Sequence, residues 1–375
     1  MIYKGKRIAA VLILGLVAAL LSAALPPVSG HCENLRFVFM ADGRGDALDD
    51  QVNIPALETI NAVILALNPR PSFVIYGGDS VYRGHSGGAY NFSKLIAAME
   101  PLTSVGIKLY PVMGNHELYD EGTPGFVLAN QKEFQNTFTD NPGNGPPGYE
   151  RLVYSFESSG GDAFFAIGDC YYLTADDPNP ALNQEGDSSQ SGTFDVIQLA
   201  WLENQLAKTK AKHKFFFAHA PYYKIVGDQS SQNTSFTELW SILDKYHVDL
   251  FGCGHEHLYS RKRIDSSIAP APQWRPPFQW KNNVTQLLTG TCGAPIDDGT
   301  LVVDRSTWHV FNDANAPNNY YFSVIDINGS KVNVTSYGVE PIVYTDGDPV
   351  PPFKVIDRFS IPSDISAAID FLLLY

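Results

Sequence analysis

The sequence predicts a layered α/β domain, and three observations carry that prediction. From residue 35 onward, short apolar runs of β type alternate with longer stretches of helical period. Apolar residues make up 44% of the 375 and charged ones 18%, which is ample for a buried core and excludes a polar disordered chain. Five of the apolar runs end in residues that bind metal ions, so those side chains should share one edge of the fold.

The chain begins with Lys4, Lys6 and Arg7, an unbroken apolar stretch over 8–25, and then Pro26, Pro27, Val28, Ser29 and Gly30. A basic start, an apolar middle and small residues before a cut, at Ser22-Ala23-Ala24 or Val28-Ser29-Gly30, follow the signal-peptide pattern. The expected organisation is therefore a signal peptide over 1–30 and one domain over 31–375, secreted or periplasmic. The apolar stretch is also long enough for an uncleaved anchor, which would be the sole contact with a membrane. His31 before Cys32 is not the small residue that lipidation requires. In an oxidising compartment Cys253 and Cys292, each near the end of a strand-like run (248–253 and 284–291), are candidates for a disulfide, with buried free thiols as the alternative. Sequons at Asn91, Asn233, Asn283, Asn328 and Asn333 matter only in a glycosylating host.

Buried strands are expected over 35–41, 73–76, 107–113, 214–218 and 249–253. Residues 53–67 carry Ile54, Leu57, Ile60, Ile64 and Leu67 at the spacing of one helical face, and 195–207 and 236–246 repeat the pattern. Residues 154–156 and 163–167 flank Ser-Ser-Gly-Gly-Asp and read as a hairpin. Stretches 139–148 and 176–192 read as surface loops, and 320–327 with 331–337 as strands around Asn328-Gly329. No internal repeat is visible.

Asp42 follows the first strand, Asp79 the second, Asn115 and His116 the third, and His219 the fourth, while Gly254-His255-Glu256-His257 closes the fifth. Carboxylate, amide oxygen and imidazole nitrogen together suit zinc, manganese or iron, whereas calcium would want nearly all oxygen. Taken singly, an aspartate after a strand is a turn or capping residue and a histidine a structural one. Five such strand ends together point to a site. One carboxylate can bridge two ions, and a pair of ions about 3.5–4 Å apart can activate water while holding a phosphate oxygen. The net charge of −14 argues against a partner as large as nucleic acid, but a metal site still admits a small phosphorylated substrate.

The order Asp42, Gly78-Asp79, Gly114-Asn115-His116-Glu117, His219, Gly254-His255-Glu256-His257 resembles the calcineurin-like metallophosphoesterase superfamily, over about 36–294. Trp201-Leu202 with Leu206, and Gly290-Thr291-Cys292-Gly293-Ala294, support it. The resemblance implies a four-layer α/β/β/α sandwich of two mixed sheets with a dinuclear metal site at the strand ends. It implies two divalent or trivalent ions (Fe, Zn or Mn) with Asp79 between them. Asn115, His219 and His255 would complete one shell, and Asp42 and His257 would serve the other. Most members have Asp-x-His where this chain has Asp42-Gly43-Arg44, and a guanidinium has no lone pair for a metal. Asp79-Ser80-Val81-Tyr82 has the Asp-x-x-Tyr spacing of purple acid phosphatases, which makes Tyr82 a candidate ligand, with a packing role as the alternative. Arg44 is either a phosphate clamp or the partner of an acid such as Asp46.

The expected reaction is hydrolysis of phosphate monoesters by a metal-bound hydroxide, with His116 protonating the departing alkoxide. Two alternatives remain: a phosphodiesterase or nucleotidase using the same metals, and an exported binding module without catalysis. Tyr222, Tyr223, Trp274 and Trp280 are candidates to line the substrate pocket or to pack locally.

Overall fold

A computed structural model describes residues 34–48, 50–174, 192–226, 234–266, 280–297, 308–311, 319–340 and 350–361. The expected signal peptide, Trp274 and nearly all of the 176–192 loop lie outside them. Among the described residues no helix is long and apolar enough to cross a membrane.

The chain runs through β1 (Asn34–Met40), α1 (Ile54–Ala66), β2 (Phe73–Tyr76), β3 (His85–Ser86), β4 (Ala89–Tyr90), α2 (Phe92–Thr103) and β5 (Lys108–Pro111). Next come β6 (Tyr119–Asp120), β7 (Thr123–Phe126), α3 (Leu128–Thr137), β8 (Tyr154–Glu157), β9 (Ala163–Ile167), α4 (Val196–Lys208) and β10 (His213–Phe217). It continues with α5 (Thr234–Lys245), β11 (Leu250–Cys253), β12 (Tyr259–Ile264), β13 (Val284–Thr289) and β14 (His309–Phe311). It closes with β15 (Tyr320–Asn328), β16 (Lys331–Val339) and β17 (Phe353–Ile361).

One mixed sheet is ordered β17-β16-β15-β1-β2-β5 and the other β14-β12-β13-β11-β10-β9-β8, and a small third sheet holds β4-β3-β6-β7. Strand alternation builds the layers. Phe37 and Phe39 of β1 meet Phe165, Phe215 and Phe217 of the opposite sheet, with Phe39 and Phe217 centroids 5.0 Å apart. Their neighbours Val38 and Met40 belong instead to the layer that holds Leu57, Ile60 and Ile64 of α1. On the second sheet Phe216 and Phe251 face Trp240 and Leu243 of α5 in the same way. Each fully buried side chain of this kind contributes roughly 1.5–3 kcal/mol.

Two of the three predicted helices start at side-chain caps, since Asn53 accepts from the Ala56 N–H and Asp195 from those of Ile197 and Gln198. The hairpin forms as expected, with Tyr154 opposite Ile167. The disulfide does not: Cys170, Cys253 and Cys292 are buried free thiols. Cys253 ends β11 with its sulfur toward the Leu287 carbonyl, whereas Cys292 lies past the end of β13 with its sulfur against the Tyr76 hydroxyl. Burial pushes all three thiols up, which makes them unreactive.

At one edge the two large sheets are joined. The Ala41 N–H donates to Thr289 O at 3.2 Å, and the Cys292 N–H donates to Ala41 O at 2.8 Å. The parallel strands β1, β2 and β5 of one sheet and β10 and β11 of the other all end at that seam.

Candidate metal centre

Register delivers the polar groups to the seam. Met40 lies opposite Tyr76, so two residues later Asp42 donates its N–H to Gly78 O at 3.0 Å and stands beside Asp79. The Asp42 carboxylate accepts the His255 N–H at 3.0 and 3.1 Å, which ties the first strand's motif to that of β11. Asp79 Oδ1 accepts the His116 N–H at 2.9 Å. Asp42, Asp79 and His255 adopt positive φ of 58°, 51° and 74°, a left-handed backbone that costs a residue with a Cβ about 1–2 kcal/mol.

The glycines beside these residues mostly provide room. A Cβ on Gly114 would strike Asp79 Oδ1, and one on Gly254 would strike Asp42 Oδ2, while Gly78 alone needs its φ of +95°.

Two sets of ligand atoms result, each within 4.8 Å of one another: Asp79, His219 and His255 in one, Asp42, Asp79 and His257 in the other. Asp79 belongs to both. Asn115 joins the first set, with its Oδ1 3.1 Å from His255 Nδ1. The imidazoles are turned for metal. A carbonyl only accepts, so the 2.7 Å bond to Gly77 O makes His219 Nδ1 the donor and leaves its Nε2 to face Asp79 Oδ2 at 3.2 Å and Asp42 Oδ1 at 3.9 Å. That nitrogen is fully buried and makes no aligned hydrogen bond. Likewise His257 donates from Nδ1 to Pro295 O at 2.9 Å and presents Nε2 to Asp42 Oδ1 at 3.7 Å.

Electrostatics describe a cluster short of positive charge. Burial opposes ionisation of His219, but the Asp79 carboxylate, with Asp42 behind it, pushes its pKa up to about 10. Burial also opposes ionisation of Asp79, and His219 overrides it and holds that carboxyl well below its ordinary range. Asp42 is held well above its range by burial. Burial, then Arg44, depress His257 to about 3, and burial, then His219, depress His255. Two neutral imidazoles, a third that must otherwise carry a proton, two buried carboxylates and an amide oxygen fit a pair of borderline metal ions.

His116, 8% exposed, donates from Nδ1 to Tyr82 O at 2.7 Å, and its Nε2 lies 4.0 Å from Asp79 Oδ2. The Tyr82 ring lies 5.7 Å from that imidazole and is flanked by the guanidinium carbons of Arg44 and Arg83 at 5.7 and 5.5 Å, while its hydroxyl makes no hydrogen bond to Asp42 or Asp79. Arg44 does not pair with Asp46. Its Nη1 donates to Gly45 O at 2.9 Å, its Nε has no partner, and its charge reaches Asp42, Asp79 and His257.

Of the two roles open to the aromatics, Tyr222, Tyr223 and Trp280 take local packing. Tyr222, Tyr223 and Trp280 are 1%, 6% and 2% exposed and cluster around Trp240, and the Trp280 Nε1–H donates to the Tyr223 hydroxyl at 2.8 Å. Two supporting acids escaped the sequence reading. Glu117 accepts the N–H of Asp79 (3.0 Å), Ser80 (2.6 Å) and Gly114 (2.8 Å) and the Ser80 hydroxyl (2.6 Å), clamping two motifs together. Glu256 accepts the N–H of Ile225 (2.8 Å) and Val226 (3.2 Å), and burial pushes it up to about 8. Both stand next to a predicted histidine, an available signal.

The chain resembles several proteins of known structure. Against a purple acid phosphatase, PPD1 of yellow lupin (Lupinus luteus), the TM-score is 0.57 at 19% identity, covering 89% of this chain and 55% of that one. Against PhoD it is 0.58 at 11% identity, covering 90% and 71%. A dimetal phosphatase of Danio rerio gives 0.52 at 15% identity, covering 82% and 98%. At these identities the likeness establishes the fold. An uncharacterized protein of Mycobacterium tuberculosis (strain ATCC 25618 / H37Rv) is 20% identical over 268 residues, 58% of this chain and 50% of that protein, so the chain spans about half the length of the curated relatives it matches. Residues 38–259 match the model of the calcineurin-like phosphoesterases, a span that contains every residue of both ligand sets. By that match the chain belongs to the calcineurin-like phosphoesterase family.

Proposed function

We propose that the chain is an exported, metal-dependent hydrolase of phosphate monoesters. The observation that carries the reading is the shared carboxylate: Asp79 stands in both ligand sets, so a pair of ions would meet across it. Asn115, His219 and His255 would hold one, and Asp42 and His257 the other. Bound there, the ions would supply an activated water and neutralise phosphoryl charge.

The rest falls to the chain's own side chains. His116 holds its Nδ1 proton on the Tyr82 carbonyl and so presents Nε2 to the centre, where, as the doubly protonated imidazolium, it gives the Nε2 proton to the departing alkoxide and returns to the neutral ring. Arg44 has no acidic partner among the described residues and grips a phosphoryl oxygen with its planar fork. Asp42 and Asp79 are placed by backbone bonds rather than by the substrate, so the centre is built before binding. Export rests on the basic and apolar pattern of the first thirty residues, and buried, unreactive thiols suit an oxidising compartment. The surplus of acid favours a small substrate over long nucleic acid.

Elemental analysis of protein purified without chelator, paired with turnover of a monoester and a diester of one chromogenic alcohol, tests the reading. Two ions per chain and a faster monoester are expected. One ion with no hydrolysis would leave a binding module, and a faster diester would make it a phosphodiesterase.

A further inference from the structure

The loop that leads from β1 to α1 carries Arg44, the loop that follows β2 carries Tyr82, and one buried amide lies between them. Gln51, 2% exposed, is engaged at both ends of its side chain. Its Nε2 donates to Leu48 O at 2.8 Å in its own loop and to Ser86 Oγ of β3 at 3.2 Å, while its Oε1 accepts the Arg83 N–H at 2.9 Å. A carbonyl only accepts and a backbone N–H only donates, so the amide fits one way round. Asn91 backs the same corner, donating from Nδ2 to Ser86 Oγ and to Arg83 O, each at 2.9 Å.

Held in this way, the backbone carbonyl of Gln51 joins the two loops. It accepts the Tyr82 N–H at 2.8 Å and the Gly45 N–H at 3.2 Å, and Gly45 is the residue whose own carbonyl receives Arg44 Nη1 at 2.9 Å. The Arg44 N–H donates to Asp79 O at 3.1 Å, so its backbone is placed by the centre and its side chain by the loop beyond. The ligand carboxylates hang from other bonds, Asp79 through Glu117 and Asp42 through Gly78 and His255. Gln51 therefore governs where the guanidinium stands, 5.7 Å from the Tyr82 ring centroid, without holding either ligand set. We propose that Gln51 is a positioning residue for substrate, fastening the Arg44 and Tyr82 loops together so that the Arg44 fork meets a phosphoryl oxygen. This inference rests on the phosphoesterase reading above, with Arg44 as its phosphate grip.

Gln51→Met keeps the length and bulk of the side chain and removes its three hydrogen bonds. The measurements are metal content by elemental analysis and the affinity of the metal-loaded protein for inorganic phosphate by titration calorimetry. Unchanged metal with phosphate bound about 10-fold more weakly is expected, the scale of a neutral hydrogen bond. In an Arg44→Ala background the same change should have no further effect, because the group it places is gone. Wild-type phosphate affinity in Gln51→Met overturns the proposal, as does a loss that recurs in full without Arg44, or loss of an ion. Arg44→Ala that binds phosphate as wild type does removes the grip, and with it anything for Gln51 to place. Wild-type protein that takes up no metal sinks the phosphoesterase reading itself, before any variant is made. Should Gln51→Met fail to fold, Gln51→Glu gives a second answer. Its protonated acid is neutral, with a donor for Leu48 O and an acceptor for the Arg83 N–H, so its phosphate affinity relative to wild type should recover as pH falls. A ratio that stays flat with pH overturns the proposal.

Discussion

Replacing Glu117 by glutamine tests whether a buried acid outside both ligand sets holds the centre together. Its carboxylate receives four hydrogen bonds, two on Oε2 from Asp79 and Gly114 and two on Oε1 from the Ser80 N–H and hydroxyl. Glutamine has one carbonyl oxygen. With that oxygen at the Oε2 position, the new amide meets the Ser80 N–H donor against donor, while the Ser80 hydroxyl can rotate to accept. One buried backbone donor is stranded, at about 1–3 kcal/mol, and the surviving bonds lose their charge assistance. Part of this is offset, because burial and the nearby Asp79 both oppose ionisation of Glu117 and the amide relieves that repulsion. The expected net loss is about 2 kcal/mol in urea unfolding of metal-free protein, with metal bound about 10–100-fold more weakly. An unfolding free energy within about 0.5 kcal/mol of wild type, the usual scatter of neutral surface changes, together with unchanged metal affinity, would refute the clamp.

The other predictions concern single groups. His116→Ala should slow esters of poor leaving groups by about 10²–10⁴-fold and spare activated aryl phosphates, and an equal loss on both removes the acid role. Arg44→Ala should raise KM for phosphate esters with little effect on metal content, and an unchanged KM removes the clamp on phosphate. Iron-loaded protein should absorb in the visible if Tyr82 ligates Fe(III), and Tyr82→Phe should bleach it; a colourless iron-loaded wild type takes Tyr82 out of the ligand set. Burial pushes the Asp169 carboxyl up to about 7, so the fold favours its protonated form. The stabilisation is full below the unfolded value of about 3.9 and fades as pH rises to about 7. Asp169→Asn, which can still accept the Tyr171 N–H, should match wild type near pH 4 and exceed it near pH 8; equal urea midpoints at both would contradict the shift.

How much was legible follows from how each part is encoded. The strands ending in Asp42, Asp79, His219 and His255 are apolar on both faces because layers cover both, and such runs stand out. Helix α3 left no such trace, because it docks through polar residues: Asn130 donates to Tyr119 O, and Gln131 exchanges hydrogen bonds with Leu173. Helix α2 carries Pro101 within its last turn, and three of the four strands of the third sheet have two residues, too short for any period. For Tyr222, Tyr223 and Trp280 the sequence left a pocket and local packing both open, and depth decides for packing, which Pro-rich surroundings do not reveal.

The left-handed turns at Asp42 and Asp79 carry a consequence for descent. Asparagine tolerates that conformation at least as well as aspartate and fills the same space, yet brings no charge. A single base-level accident at Asp42 could therefore silence the chemistry while removing a charge that burial and Asp79 already oppose, whereas at Asp79 it would strip buried His219 of its counter-charge. Offspring of this gene that turn into decoys by the first route should be sturdier than their parent, so the architecture can outlive the reaction for which it was assembled.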